Sequence, residues 1–244
     1  DPEYPSLVTM ADNVHAQYRL LTEQFGVTRL AAAYGFSMGA GQAYHWATLY
    51  PDFVERAIVV CGSARTSLHN RVFLTGLLSI LEAAPEHLGN GRFSSEPVAA
   101  LRAFAHVYAG WGLSQDFYRA RLFESPETPD LDTFLQLDWV DRFAEGRAAD
   151  HYAQALTWLE ADVSTPYGGD LDAALGSIVA RVLLMPSATD LYFRTADNEL
   201  ELASLRKADL VEIPSIWGHR AGSPRDIPAD LDFLGRHVRA FLGD

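Results

Sequence analysis

The chain of 244 residues carries 19 basic and 32 acidic side chains, a formal net charge of −13, with 48% hydrophobic and 21% charged residues. That composition suits a globular protein with a sizeable core, and with no Lys/Arg-rich run to offset the negative charge it disfavours nucleic-acid backbones and anionic membrane surfaces as partners. The single Cys61 excludes an internal disulfide and a multi-cysteine zinc site, and no apolar run reaches membrane-spanning length and no signal peptide opens the chain, so the expectation is a cytoplasmic protein acting on a small molecule.

In chain order, Thr9 and Asp12 resemble a capping box, and Val14, Tyr18, Leu21 and Phe25 then recur at helical spacing until Gly26. The pattern predicts a helix from Met10 to Phe25. VTRLAAAY follows as a short apolar strand, and MGAGQAYHWATLYP reads as a second helix that ends before Pro51. Ser37 therefore falls between a strand and a helix. Further strands are predicted over Val54–Cys61, near Ile178–Met185 and from Asp209 to Ile213; their continuous apolar runs are those of parallel strands covered on both faces. Leu231, Leu234, Val238, Phe241 and Leu242 mark an amphipathic closing helix.

More than a hundred residues separate the strand ending at Cys61 from the one beginning near Ile178, too many for a simple crossover. The segments LTGLLSILEAA, VAALRAFAHVYAGW, QDFYRARLF, LDTFLQLDWVDRF and DHYAQALTWLEAD are all helical in pattern. The expected organisation is core at 1–65, a helical lid inserted at 66–175, and core again at 176–244. The lid is expected over the sheet end where Ser37 emerges; the plain alternative is a helical subdomain that only packs.

Gly35-Phe36-Ser37-Met38-Gly39 matches the G-x-S-x-G elbow, in which glycines let backbone pass close to a strained serine at a strand-to-helix turn. The elbow also predicts a chain order of nucleophile, acid, then histidine. Asp190 follows the strand RVLLMPSAT, and His219 follows LVEIP within SIWGHRAG. All three lie after carboxyl ends of strands, where they can converge. His219 would take the Ser37 proton, Asp190 would orient the imidazole, and the Met38 amide would donate to the oxyanion. Asp197 and Glu199 are the alternative acids. Phe36, Arg220 and Trp111 are the substrate-binding candidates, although Trp111, Tyr108, Trp139 and Trp158 read first as core aromatics. Cys61 reads as a small core residue and the other histidines as solvated or locally satisfied. No carboxylate and histidine pair has ligand spacing, so no metal is assigned.

With these residues in place, the chain resembles the α/β-hydrolase superfamily, and within it the branch related to homoserine O-acetyltransferase. The likeness rests on GFSMGA followed by QAYHWATLYPDFVERAIVVCGSA, on SATDLYF and SIWGHRAG, and on the opening MADNVHAQYRLLTEQFG. It implies an α/β fold with a mostly parallel sheet and an inserted helical lid that often builds a dimer. It also implies transfer of an acyl group from acyl-CoA, as co-substrate and not bound cofactor, through an acyl-serine to an alcohol. Two features depart from the pattern. Arg220 follows His219 where homoserine acetyltransferases carry an aspartate near the substrate amine, which points to a small alcohol acceptor other than homoserine. About four strands normally precede the elbow, whereas only the helix from Met10 does so here. The strand of Ser37 is then expected to have an unpaired edge, with the N-terminal strands missing or supplied as a separate chain. The sequence favours acyl transfer narrowly over hydrolysis of esters, lactones or thioesters by the same residues. A non-catalytic relic acting as a binding module is the third reading.

Overall fold

The structure, a computed structural model, describes residues 5–243. They divide into two compact units, one made of residues 5–8 with Ser67–Glu160, the other of Thr9–Thr66 with residues 161–243. In chain order the elements begin with α1 (Met10–Arg19), which continues through a π-helical turn at Leu20–Gln24, then β1 (Ala33–Phe36), α2 (Met38–Leu49) and β2 (Arg56–Val60). The helical unit holds α3 (Leu68–Glu82), α4 (Val98–Gly112), α5 (Gln115–Arg119), α6 (Leu131–Leu135), α7 (Asp141–Glu145) and α8 (Ala148–Leu159). The chain then returns as α9 (Leu171–Ser177), β3 (Arg181–Met185), α10 (Thr195–Ser204), β4 (Ala208–Leu210) and α11 (Pro228–Leu242).

The four strands form one parallel sheet in the order β1-β2-β3-β4. Successive side chains of a strand point to opposite faces, and here both faces are covered. Ala57, Val59, Val182 and Leu184 join the cluster that contains Val14, Tyr44 and Trp46, whereas Ile58, Val60, Leu183 and Met185 join that of Leu234 and Phe241. Two buried faces remove the need for polar alternation, which explains the continuous apolar runs. β1 pairs with β2 alone and is an edge strand among the described residues, as the number of strands ahead of the elbow implies.

α1 starts where the capping pattern places it: the Asp12 amide donates to Thr9 Oγ1 at 3.1 Å, and the Thr9 amide donates back to Asp12 Oδ2 at 2.8 Å. Gly26, at φ 62°, ends the π turn in a left-handed conformation. Several boundaries differ from the sequence reading. β4 is three residues long, and Ile213, expected in it, makes an isolated bridge to Ser187 instead. The segment QDFYRARLF stops being helical at Arg119, since Arg121 takes φ 54°. On α11, Leu231 is exposed and Asp230 buried, because the Asp230 carboxylate accepts a hydrogen bond from the Ser215 hydroxyl at 2.6 Å and turns that side of the helix inward.

Residues 161–175, assigned by sequence to the insertion, belong to the sheet-bearing unit. Asp162 pairs with Arg65 at 2.9 Å, and the Val163 amide donates to the Ala64 carbonyl. The segment is thereby stitched to the loop after β2. The helical unit has a core of its own: Phe73, Phe104, Tyr108, Trp111, Phe143 and Trp158 meet ring to ring at 4.8–6.1 Å. Among the described residues no helix is long and apolar enough to cross a membrane.

Candidate active site

Ser37 sits between β1 and α2 with φ 58° and ψ −124°, a sparsely populated conformation that costs on the order of 1–3 kcal/mol. Neighbouring backbone holds it there. Its amide donates to the Val60 carbonyl at 3.0 Å, and its carbonyl accepts from the Ala40 amide at 2.9 Å. A Cβ on Gly35 would lie 1.9 Å from the Gly39 oxygen, and one on Gly62 would lie 2.2 Å from the Ala40 Cβ. Both glycines allow α2 to begin directly behind the serine. Met38 is the first residue of α2, so its amide is among those with no acceptor inside the helix and lies at the positive end of the helix dipole.

Asp190 follows β3 and is 4% exposed. Its Oδ1 accepts from the Tyr192 amide at 2.8 Å and the Phe193 amide at 3.3 Å, while Oδ2 accepts from His219 Nδ1 at 2.7 Å. A carboxylate cannot donate, so Nδ1 carries the proton and Nε2 is left to accept from the Ser37 hydroxyl, 2.8 Å away. Ser37, His219 and Asp190 thus form one hydrogen-bonded line. Both ring nitrogens are engaged in it, which leaves none facing the nearby Cys61 thiol, although Cys61, Asp190 and His219 place one ligand-type atom each within 4.8 Å of one another. Of the alternative acids, Asp197 and Glu199 lie on α10, and the imidazole's carboxylate partner is Asp190.

Thr189 and Ser215 tie the two loops together, an arrangement with no signal in the sequence. Thr189 Oγ1 donates to the Ser215 carbonyl at 2.8 Å and accepts from the Gly218 amide at 3.1 Å. The Ser215 hydroxyl, besides donating to Asp230, accepts from the Trp217 amide at 3.2 Å. The remaining candidates separate. Phe36 stacks on His219 with ring centroids 4.6 Å apart. Arg220 lies with its guanidinium carbon 6.0 Å from the Trp217 ring. Trp111 packs with His69 and Phe73 inside the helical unit. Cys61 is fully buried, and burial pushes its thiol pKa well up, so it is held as the neutral thiol.

A second polar group lies behind the elbow. Glu201 of α10 accepts from the Ala64 amide at 2.7 Å, the Tyr44 hydroxyl at 2.8 Å and Asn198 Nδ2 at 2.9 Å, and Asn198 also donates to the Gly62 carbonyl. Burial pushes its carboxyl up from 4.5 to about 7, against the three donors that favour the charged form. The folded state therefore holds a proton that the unfolded chain has released between those two values. Its contribution to stability is complete below pH 4.5 and is lost as pH rises through about 7. In urea unfolding across that window, the wild type is expected to lose on the order of 3 kcal/mol relative to a Glu201→Gln variant, which has no such titration. Parallel profiles for the two proteins would contradict this.

No family model matches the chain. An ethyl acetate hydrolase of Pseudomonas veronii is 35% identical over 236 residues, 96% of this chain and 67% of that protein. A homoserine O-succinyltransferase of Paraburkholderia phymatum is 29% identical over 238 residues, 88% of this chain and 62% of the relative. Among solved structures, an acetylester hydrolase from Corynebacterium glutamicum superposes with a TM-score of 0.89 at 31% identity, covering 99% of this chain and 69% of that one. The chain spans about two thirds of the length of the proteins it matches.

Proposed function

Because the chain belongs to the α/β-hydrolase superfamily, in the branch that holds acetyl esterases and homoserine O-acyltransferases, we propose that it cleaves short acyl esters through an acyl-Ser37 intermediate, with water as the acceptor. The observation that carries this reading is the hydrogen-bonded line from Asp190 through His219 to Ser37. In the first half-reaction the Ser37 oxygen attacks the ester carbonyl as its proton passes to His219 Nε2. The oxyanion that forms is met by the Met38 amide and the positive end of α2. Collapse expels the alcohol, which leaves with the proton from His219. In the second half-reaction His219 takes a proton from water, hydroxide attacks the acyl carbon, and the acid is released as the proton returns to Ser37. Asp190 stays ionised throughout, holding the tautomer and stabilising the imidazolium.

Water is preferred to an alcohol because the esterase-named relatives are the more similar ones. Transfer from acyl-CoA to a small alcohol uses the same acyl-serine and is the second reading, supported by the succinyltransferase relative. The test is intact mass with peptide mapping after brief exposure to p-nitrophenyl acetate or to acetyl-CoA, alongside a fluorophosphonate probe. The expected result is one phosphonyl group on Ser37, and acetyl groups from the phenyl ester but not from the thioester. Acetylation of Ser37 by acetyl-CoA, discharged by added alcohols faster than by water, would replace hydrolysis with transfer. Labelling at residues other than Ser37 would overturn both.

A further inference from the structure

His219 is enclosed by three aromatic rings. Phe36 stacks on it at 4.6 Å with 28° between the planes, Phe193 lies at 5.5 Å with 36°, and Tyr192 meets it edge-on at 5.0 Å and 84°. The Tyr192 and Phe193 rings are placed by the acid loop, whose backbone amides at both residues also bind Asp190, whereas Phe36 comes from the elbow itself, the last residue of β1. A second contact fixes the Phe36 ring. Gly222 closes the 3-10 turn that carries His219, and a Cβ there would lie 2.5 Å and 2.6 Å from two Phe36 ring carbons and 2.7 Å from the Cys61 sulfur. The turn has therefore closed onto the Phe36 ring as tightly as a glycine permits.

We propose that Phe36 is a positioning residue for His219: its ring is the platform on which the imidazole is oriented between Asp190 and Ser37, and its electron-rich face favours the imidazolium formed when Ser37 gives up its proton. The inference rests on the Ser37–His219–Asp190 reading and adds to it a role for the second residue of the elbow. The other groups about the imidazole are Asp190 and Ser37, bonded to its two nitrogens, the Tyr192 edge, the Phe193 ring, the Cys61 thiol, and Arg220 on the same turn. Replacement of Phe36 by leucine leaves all of these in place and keeps the position apolar, so that what is removed is the ring face.

The experiment is an NMR titration of the His219 imidazole in a Ser37→Ala background, where turnover is not needed, for Phe36, Phe36→Leu, Phe36→Tyr and Gly222→Ala proteins. In parallel, the pH dependence of fluorophosphonate labelling is measured with Ser37 present. Phe36→Leu is expected to move the imidazole signals of His219 and the labelling limb together toward lower pH. Phe36→Tyr keeps the ring and should restore both. Gly222→Ala, whose added Cβ crowds the Phe36 ring and the Cys61 sulfur alike, should shift the profile in the same direction as leucine. A His219 titration that is unmoved in Phe36→Leu and Gly222→Ala would overturn the role of Phe36 while normal Ser37 labelling left the triad standing. Absence of Ser37 labelling in the unaltered protein would instead remove the triad reading on which the role depends.

Discussion

Ser37→Ala is expected to reduce ester turnover by at least about ten-thousand-fold while leaving the fold intact. Loss of the hydroxyl removes the atom that would be acylated, and no other side chain in the line can take its place, since Asp190 is buried and His219 can only move protons within it. The structural role of the serine is carried by its backbone. Its amide to Val60 and its carbonyl to Ala40 are unchanged by the substitution, and alanine has the same Cβ in the strained conformation. The checks are steady-state hydrolysis of p-nitrophenyl acetate and a thermal melt, the latter expected within a few degrees of wild type. Retained turnover would remove Ser37 from the chemistry. A collapsed melt would mean that the hydroxyl supports the elbow more than its single side-chain hydrogen bond suggests.

The second large effect is expected at Gly35, where alanine should prevent stable folding. The added Cβ would lie 1.9 Å from the Gly39 oxygen, 2.1 Å from the Gly39 carbonyl carbon and 2.5 Å from the Ala40 nitrogen, all backbone atoms of the first turn of α2. No rotamer relieves such a contact. Either α2 retreats from β1 or the strand moves, and each breaks the packing of Ala40 and Ala43, both nearly fully buried. A destabilisation above about 4 kcal/mol is expected, in the exceptional class for a single methyl group. Gly39, two residues beyond the serine, is the matched control. A Cβ there meets nothing within 4 Å, and alanine inside a helix is favoured over glycine by up to about 1 kcal/mol. Urea unfolding of the two variants separates steric demand at Gly35 from any general intolerance of the elbow. Equal stability of both would contradict the contact geometry.

Much of this was legible in the sequence because it is written in local pattern. The Thr9–Asp12 cap, the stop at Gly26 and the strand–serine–helix order each depend on residues within a few positions of one another, so side-chain chemistry and backbone sterics declare them directly. The order of Ser37, Asp190 and His219 was legible for a different reason: parallel strands bring all their carboxyl ends to one edge, so residues distant in sequence converge if each follows a strand. Strand ends were less legible. A run buried on both faces has no polar alternation to mark where pairing stops, and the predicted β4 overshot to Ile213.

The fold class and the three residues that meet are thus readable from the chain, since both follow from local periodicity and from the geometry of a parallel sheet. The burial of Glu201 against Tyr44 and Ala64, the place of Phe36 against His219 and the inward turn of Asp230 in place of Leu231 emerge with the folded contacts alone. Each of these depends on contacts across long sequence separations, where burial and the need to pair every buried polar group outweigh what a residue's neighbours along the chain prefer.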